Sequence, residues 1–322
     1  MNKNLITAVI KVAILALLSW ALYEQLVVSD RLSDVYLKLK GSLNTRGWWL
    51  LVFCVVLMFF NWGTEALKWK LLIQPLLPIR FFRAFKAVWT GVTLGLFTPN
   101  RIGEYGGRLL YIPMRFRLSG VVSSLIGSYA QILATLLVGI IGLLSFTSEH
   151  LDIGTPVFTA IVFIGLLLLV LLVLGYYNLG VFITAMGHKR VFRKIMPYIS
   201  VLDKYHNRDF TRIWMLSVLR FLIFSAQYLI FLRLFGVEIQ LMEGMTAIGV
   251  IFLAQTILPS FTVAELFTRG NISLYFLGFY TDNSGAVLAA STSLWLLNLI
   301  IPATLGYLFI LRKNFFKNKR ST

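Results

Sequence analysis

Two places in the sequence repeat one pattern: a proline closes an apolar run, a glutamate follows five or six residues later, and an arginine comes four residues after that. The first is Pro99, Glu104 and Arg108, with Arg101 and Gly103, Gly106 and Gly107 between and beside them; the second is Pro259, Glu265 and Arg269. Proline stops a helix because it lacks an N–H and clashes with the preceding turn. Glutamate and arginine at i and i+4 then share one face of the next helix and neutralise each other. A ligand anion that competes for such an arginine would open the pair, so the spacing suits a gated anion site. Three further groups interrupt apolar stretches. Arg220 and Gln227 lie seven residues apart on one helical face, and Asn61, Glu65 and Lys68 form a stripe at i, i+4 and i+7. An ionisable residue within a membrane span marks a functional site by default, so Arg220 is expected to pair with Glu104 or Glu265. Glu65 and Lys68 form either a structural pair or a second part of the site. The plainer readings are surface anchoring for Arg101, Glu104 and Arg108, and snorkelling for Arg220. Lys11 and Arg233 read as interfacial anchors.

These residues need a bilayer around them. The 322 residues are 58% hydrophobic and only 13% charged, with a mean hydropathy of +0.80. Soluble domains carry about twice that charge fraction. Six segments have the roughly 20 apolar residues needed to cross hydrocarbon: 5–28, 48–70, 119–146, 156–176, 212–235 and 284–310. The first has no small-residue cleavage site and reads as a retained span. Two shorter apolar segments, 84–98 and 244–259, stop at Pro99 and Pro259. Trp48, Trp49, Trp69 and Trp89 near span ends fit an interfacial belt. Gly91 and Gly95 read as a close-packing motif. The lone Cys54 and the scattered His150, His188 and His206 offer neither a disulfide nor a metal cluster, and no cofactor is expected.

The net charge of +17 lies in short connections, a distribution that argues against nucleic acid and for membrane orientation. Residues 68–117 hold nine basic residues against Glu104 alone, and 177–212 and the tail are also basic. By contrast 147–155, 236–243 and 271–283 contain acids and no Lys or Arg. Only 29–47 departs from the rule: it must lie outside yet carries Arg31, Lys38, Lys40 and Arg46, and its amphipathic spacing suggests a surface helix. Both termini then face the cytoplasm of a bacterial inner membrane. The charges close only if 84–117 enters and leaves on the inner side and 244–281 on the outer side, each as a re-entrant hairpin. The expected fold is a single all-α polytopic membrane domain: 1–47 with the first span and surface helix, 48–146 as the first repeat, 147–211 as a connecting span and basic loop, 212–310 as the inverted second repeat, and 311–322 as a basic tail. Inverted repeats bring discontinuous elements together around a substrate.

The segment Leu94 to Arg108 resembles the flippase-like membrane region of bacterial lysylphosphatidylglycerol synthases. Asn61, Trp62, Glu65, Lys68, Trp69, Arg220, Gln227, Pro259 and Glu265 fit the same pattern, while Ser260 to Ala264 replaces the glycine-rich turn of the family. The resemblance implies translocation of polar lipids between leaflets, with synthase chemistry on a separate soluble domain. The expected partners are membrane lipids, a further copy of the chain, or a separate lipid-modifying enzyme. The competing functions are an integral membrane enzyme using Glu104 or Glu265 as acid or base, and an accessory subunit of an envelope-lipid enzyme.

Overall fold

The computed structural model describes residues 31–181, 196–258 and 262–311, together with Val12 and Ala16; of residues 31–34 and 262–265 only the helical backbone is described. The span at 5–28 apart from Val12 and Ala16, Pro99's side chain, His188, Pro259, the side chain of Glu265 and the tail after Leu311 lie outside the described residues. Among those that remain there are helices and turns and no strands. In chain order they are α1 (Arg31–Ser42), α2 (Thr45–Ile73), α3 (Phe81–Gly95), α4 (Gly103–Leu109), α5 (Arg117–His150), α6 (Thr155–Tyr177), α7 (Asn207–Leu234), α8 (Leu241–Ile257), α9 (Thr262–Leu277), α10 (Ser284–Trp295) and α11 (Ile301–Leu311). Five of the six expected spans fall on helices long and apolar enough to cross a membrane: α2, α5, α6, α7, and α10 with α11 taken together.

Local chemistry sets the helix ends. Asn44 caps α2 by accepting from the Gly47 N–H at 2.8 Å, and Asn283 caps α10 by accepting from the Ala286 N–H at 3.1 Å. Asp209 and Glu243 reach back to the backbone N–H of His206 and Gln240 at the starts of α7 and α8. Each side chain satisfies an N–H that has no partner inside its helix.

The two short apolar segments form hairpins whose ends lie at opposite ends of the bundle. In the first, α3 leads in and α4 returns. The Arg83 guanidinium at the start of α3 donates to the Tyr111 carbonyl just past α4 at 2.6 Å, which brings both ends together. That end is also where α2 finishes and α5 begins, and where the Tyr205 hydroxyl of the 200–205 turn donates to the Leu72 carbonyl. The second hairpin, α8 and α9, opens the other way. Phe276 and Phe279 pack edge-on against Phe146 near the far end of α5, and the His150 ring stacks on Phe279. The turn at Pro99–Arg101 touches α9, so the two hairpins meet inside the bundle.

The main core gathers α2, α3, α7, α8, α10 and α11. Trp69 and Trp89 belong to it, at 0% and 3% exposure, so they are core residues and not the belt the sequence suggests; Trp48 and Trp49 are exposed near the start of α2. Trp89 is taken up by Phe85, with ring centroids 4.6 Å apart. The helix α6 is apolar on every side and its central window has no buried residue, the pattern of a lipid-facing span. Hydroxyls of Tyr129 and Tyr176 fix it to α5 and α7 by donating to the carbonyls of Leu172 and Phe210.

Candidate functional site

A cavity of about 460 Å³ lies where the hairpins meet. Its charged lining comes from α2 (Glu65, Lys68), the first hairpin (Arg101, Glu104, Arg108), α7 (Arg220) and the second hairpin (Arg269). Among the described side chains, five cations therefore face two carboxylates, a formal excess of three positive charges. Trp62, Phe221, Phe224, Phe252 and Trp295 provide apolar walls.

The backbone aims the first hairpin's charges. Thr98 Oγ1 accepts from the Gly103 N–H at 2.7 Å and closes the turn. Asn100 and Arg101 within it have φ of 50° and 55°. The left-handed region costs a non-glycine residue about 1–2 kcal/mol, and two such residues in succession place strain at the cavity wall. The arms of the hairpin touch at glycine: a Cβ on Gly107 would fall 2.5 Å from the Gly91 Cα. This close approach bears out the packing role expected of Gly91, and it sets Glu104 and Arg108 against the neighbouring helix.

The expected Glu104–Arg108 pair is formed, at 2.9 Å. The hub of the site, however, is Glu65, which is only 4% exposed. Its carboxylate meets Arg108 at 2.9 Å, Arg220 at 2.5 Å and Lys68 at 2.8 Å. Arg220 thus pairs with Glu65 and not with Glu104 or Glu265, because α2 and not a hairpin lies beside α7 at that level. Its guanidinium also covers the Trp62 ring at 4.8 Å. Arg101 stands 3.8 Å from Glu104 at the more open side.

A buried charge is costly unless its donors find acceptors. Lys68 Nζ donates to Glu65, to Gln131 Oε1 at 3.2 Å and to Ser217 Oγ at 3.3 Å, which uses all three of its protons. Gln131 and Ser217 are held as acceptors because their own donors go to the carbonyls of Ser217 and Ile213. Lys68 is therefore fixed, whereas the two arginines each meet Glu65 from a different element.

Behind the charges runs an amide chain. Arg220 Nε donates to Asn61 Oδ1 at 3.1 Å, Asn61 Nδ2 to Asn298 Oδ1 at 3.2 Å, Asn298 Nδ2 to Gln227 Oε1 at 3.1 Å, and Gln227 Nε2 to the Cys54 carbonyl at 2.9 Å. The structure does not bring Gln227 to the cavity; it holds Asn298, which does line it. Asn298 sits in a π-helical turn, Leu296–Ile300, between α10 and α11. Such turns widen a helix and occur often at functional sites. Asn298 and Gln131 were not among the residues singled out from sequence, although each is a polar side chain in a long apolar run, the same signal that marked Arg220. Glu265 falls on α9 with its side chain outside the described residues, and Arg269, four residues on, lines the cavity.

Fold and site together define a polytopic α-helical membrane protein built around a buried cationic cavity between two opposed hairpins. The chain belongs to the family described as the lysylphosphatidylglycerol synthase TM region, which matches residues 8–266. That family ties it to membrane lipid metabolism or transport. The matched residues include the whole first hairpin, Glu65 and Arg220; Arg269 and Asn298 lie beyond them. Comparison with proteins of curated function found no match.

Proposed function

We propose that the chain translocates an anionic, lipid-linked substrate between membrane leaflets. The observation that carries this reading is the charge excess in the cavity at the point where the two hairpins meet. Arginine recognises phosphate through paired, charge-assisted hydrogen bonds. A phosphate in the cavity would draw Arg108 and Arg220 from Glu65 while Lys68, fixed by Gln131 and Ser217, stays to balance that carboxylate. Headgroup binding would in this way loosen the contact that ties the first hairpin and α7 to α2. Glu104, which already pairs with Arg108 and stands beside Arg101, would stay to balance the first hairpin's charge. The same reading places the protein in a bacterial cytoplasmic membrane with the basic end inside, treats it as a carrier with no chemical conversion, and takes its substrate from a separate lipid-modifying enzyme.

Proteoliposomes holding a fluorescent anionic phospholipid test the proposal: dithionite bleaches only the outer leaflet, so the bleached fraction reports exchange. The wild type should expose the inner pool, and Arg220→Gln should slow this by about tenfold or more, the loss of one charge-assisted bond. Equal rates in the two proteins, or no exchange above empty vesicles, would refute it.

A further inference from the structure

The basic residues of 29–47 break the charge rule that the rest of the chain obeys, and the cavity just described does not use them. The structure places one of them, Arg46, beside Arg233, which the sequence marks only as an interfacial anchor. Arg46, at the start of α2, and Arg233, at the end of α7, line a separate cavity of about 630 Å³ at the end of the bundle opposite the basic connections. Among the described residues Glu238 is its remaining charged side chain, so their lining carries a formal excess of one positive charge. Among the described residues neither arginine has a carboxylate within salt-bridge distance. Asn44 spends its oxygen on the Gly47 N–H, which leaves its amide nitrogen as a donor, and Gln240 adds a second neutral amide. Exposed Trp48 and Trp49 follow Arg46 after Gly47, and indole rings in that position sit at headgroup level.

Both helices that build the central site also build this one. Arg233 is thirteen residues past Arg220 on α7 and Arg46 fifteen before Asn61 on α2, so the two cavities lie roughly 20 Å apart at 1.5 Å per residue. Buried Met58 and Phe231 belong to the apolar core on those helices between the two levels. A ligand in one cavity does not reach the other.

We propose that this cavity is a second phosphate site, which takes the singly charged phosphodiester headgroup of a phospholipid from the leaflet at that end of the bundle. Arg46 and Arg233 hold the phosphate, the amides of Asn44 and Gln240 donate to its ester and hydroxyl oxygens, and the acyl chains lie beside Trp48 and Trp49. One net positive charge in the lining matches one negative charge on the lipid.

The test is native mass spectrometry of the full chain in detergent, titrated with dioleoyl phosphatidylglycerol and, separately, with soluble glycerol 3-phosphate. The wild type should retain two lipids per chain. Arg46→Gln/Arg233→Gln should retain one, with the lost site weakened by about tenfold or more and the melting temperature unchanged, since both side chains are exposed. If the double variant melts early, the single variants should each weaken the same site alone. Retention of both lipids with wild-type affinity by the arginine variants would overturn the proposal. Glycerol 3-phosphate binding as tightly as the lipid would assign the site to a free phosphate ester and overturn it as well. Arg220→Gln should lose the other lipid; if it loses none, the carrier reading of the central cavity falls while the present site stands.

Discussion

The returning helix of the first hairpin has seven residues, and that of the second has sixteen. The first hairpin is short, glycine-packed and charged: Gly91 and Gly107 let its arms touch, and Arg108 ties it to Glu65 across the bundle. The second is long and largely apolar. It leans on α5, where a Cβ on Gly139 would fall 2.7 Å from the Leu253 Cβ, and its outer end is held by rings around Phe146 and His150. One sequence plan, proline then glutamate then arginine, is thus anchored by directional charge on one side and by shape on the other. Charge-anchored contacts exchange partners when an anion arrives, and apolar contacts slide or separate without leaving a polar group unpaired. On the proposed carrier reading, ligand sensing falls to the first hairpin and compliance to the second.

Substitutions at the anchors can break that contrast. Glu65→Gln should have the largest effect, because it strands Lys68, Arg108 and Arg220 in a buried site. Removing one partner of a buried ion pair costs about 3–5 kcal/mol, and a melting curve in detergent that matches the wild type would remove the hub from the account. Next comes Gly107→Ala. It forces the first hairpin's arms apart and should cost about 1–3 kcal/mol, as overpacking does, while Gly106→Ala, which meets no neighbour within 4 Å, should leave the midpoint unchanged or raise it. Equal melting midpoints for the two alanine variants would show that the arms are not closely packed. Asn298→Ala should cost about 1–3 kcal/mol by leaving Asn61 and Gln227 short of a partner, with slowed lipid exchange as Arg220 loses its orientation. The smallest stability effect is expected for Arg101→Gln. Its contact with Glu104 is long and partly exposed, so the change should stay within about 1 kcal/mol, and the variant should instead show weakened headgroup affinity in a lipid-binding titration.

Much of this arrangement was legible in the sequence. Apolar run lengths located the spans that the described residues contain, and charge asymmetry folded 84–117 and 244–281 back on themselves from opposite ends. The Glu104–Arg108 pair followed from helical spacing alone. What escaped depends on distances between helices. Glu65 read equally well as a local partner of Lys68, and only the docking of α7 and α4 against α2 makes it a hub for three cations. Arg220 was given the wrong carboxylate for the same reason. Trp69 and Trp89 have the sequence position of interfacial residues, but the main core closes around both and buries them. Asn298 went unmarked because a single amide in a long apolar run changes its hydropathy little, yet it links three helices.

The wide turn that carries Asn298 takes up one extra residue while the helix after it keeps its face. A π-helical turn fits that residue into a single revolution, where an insertion in an ordinary α-helix turns everything downstream by about 100°. Downstream, Ala303 accepts from the Thr93 hydroxyl at 2.7 Å, and Gly306 lies so close to the Trp89 carbonyl that no Cβ would fit. Inserting one residue between Ile300 and Ile301 would have no such outlet, and it would turn the helix beyond by about 100° and swing both contacts off α3. The first hairpin would lose the surface against which its inbound arm is aligned, though every residue that touches the charges would still be present.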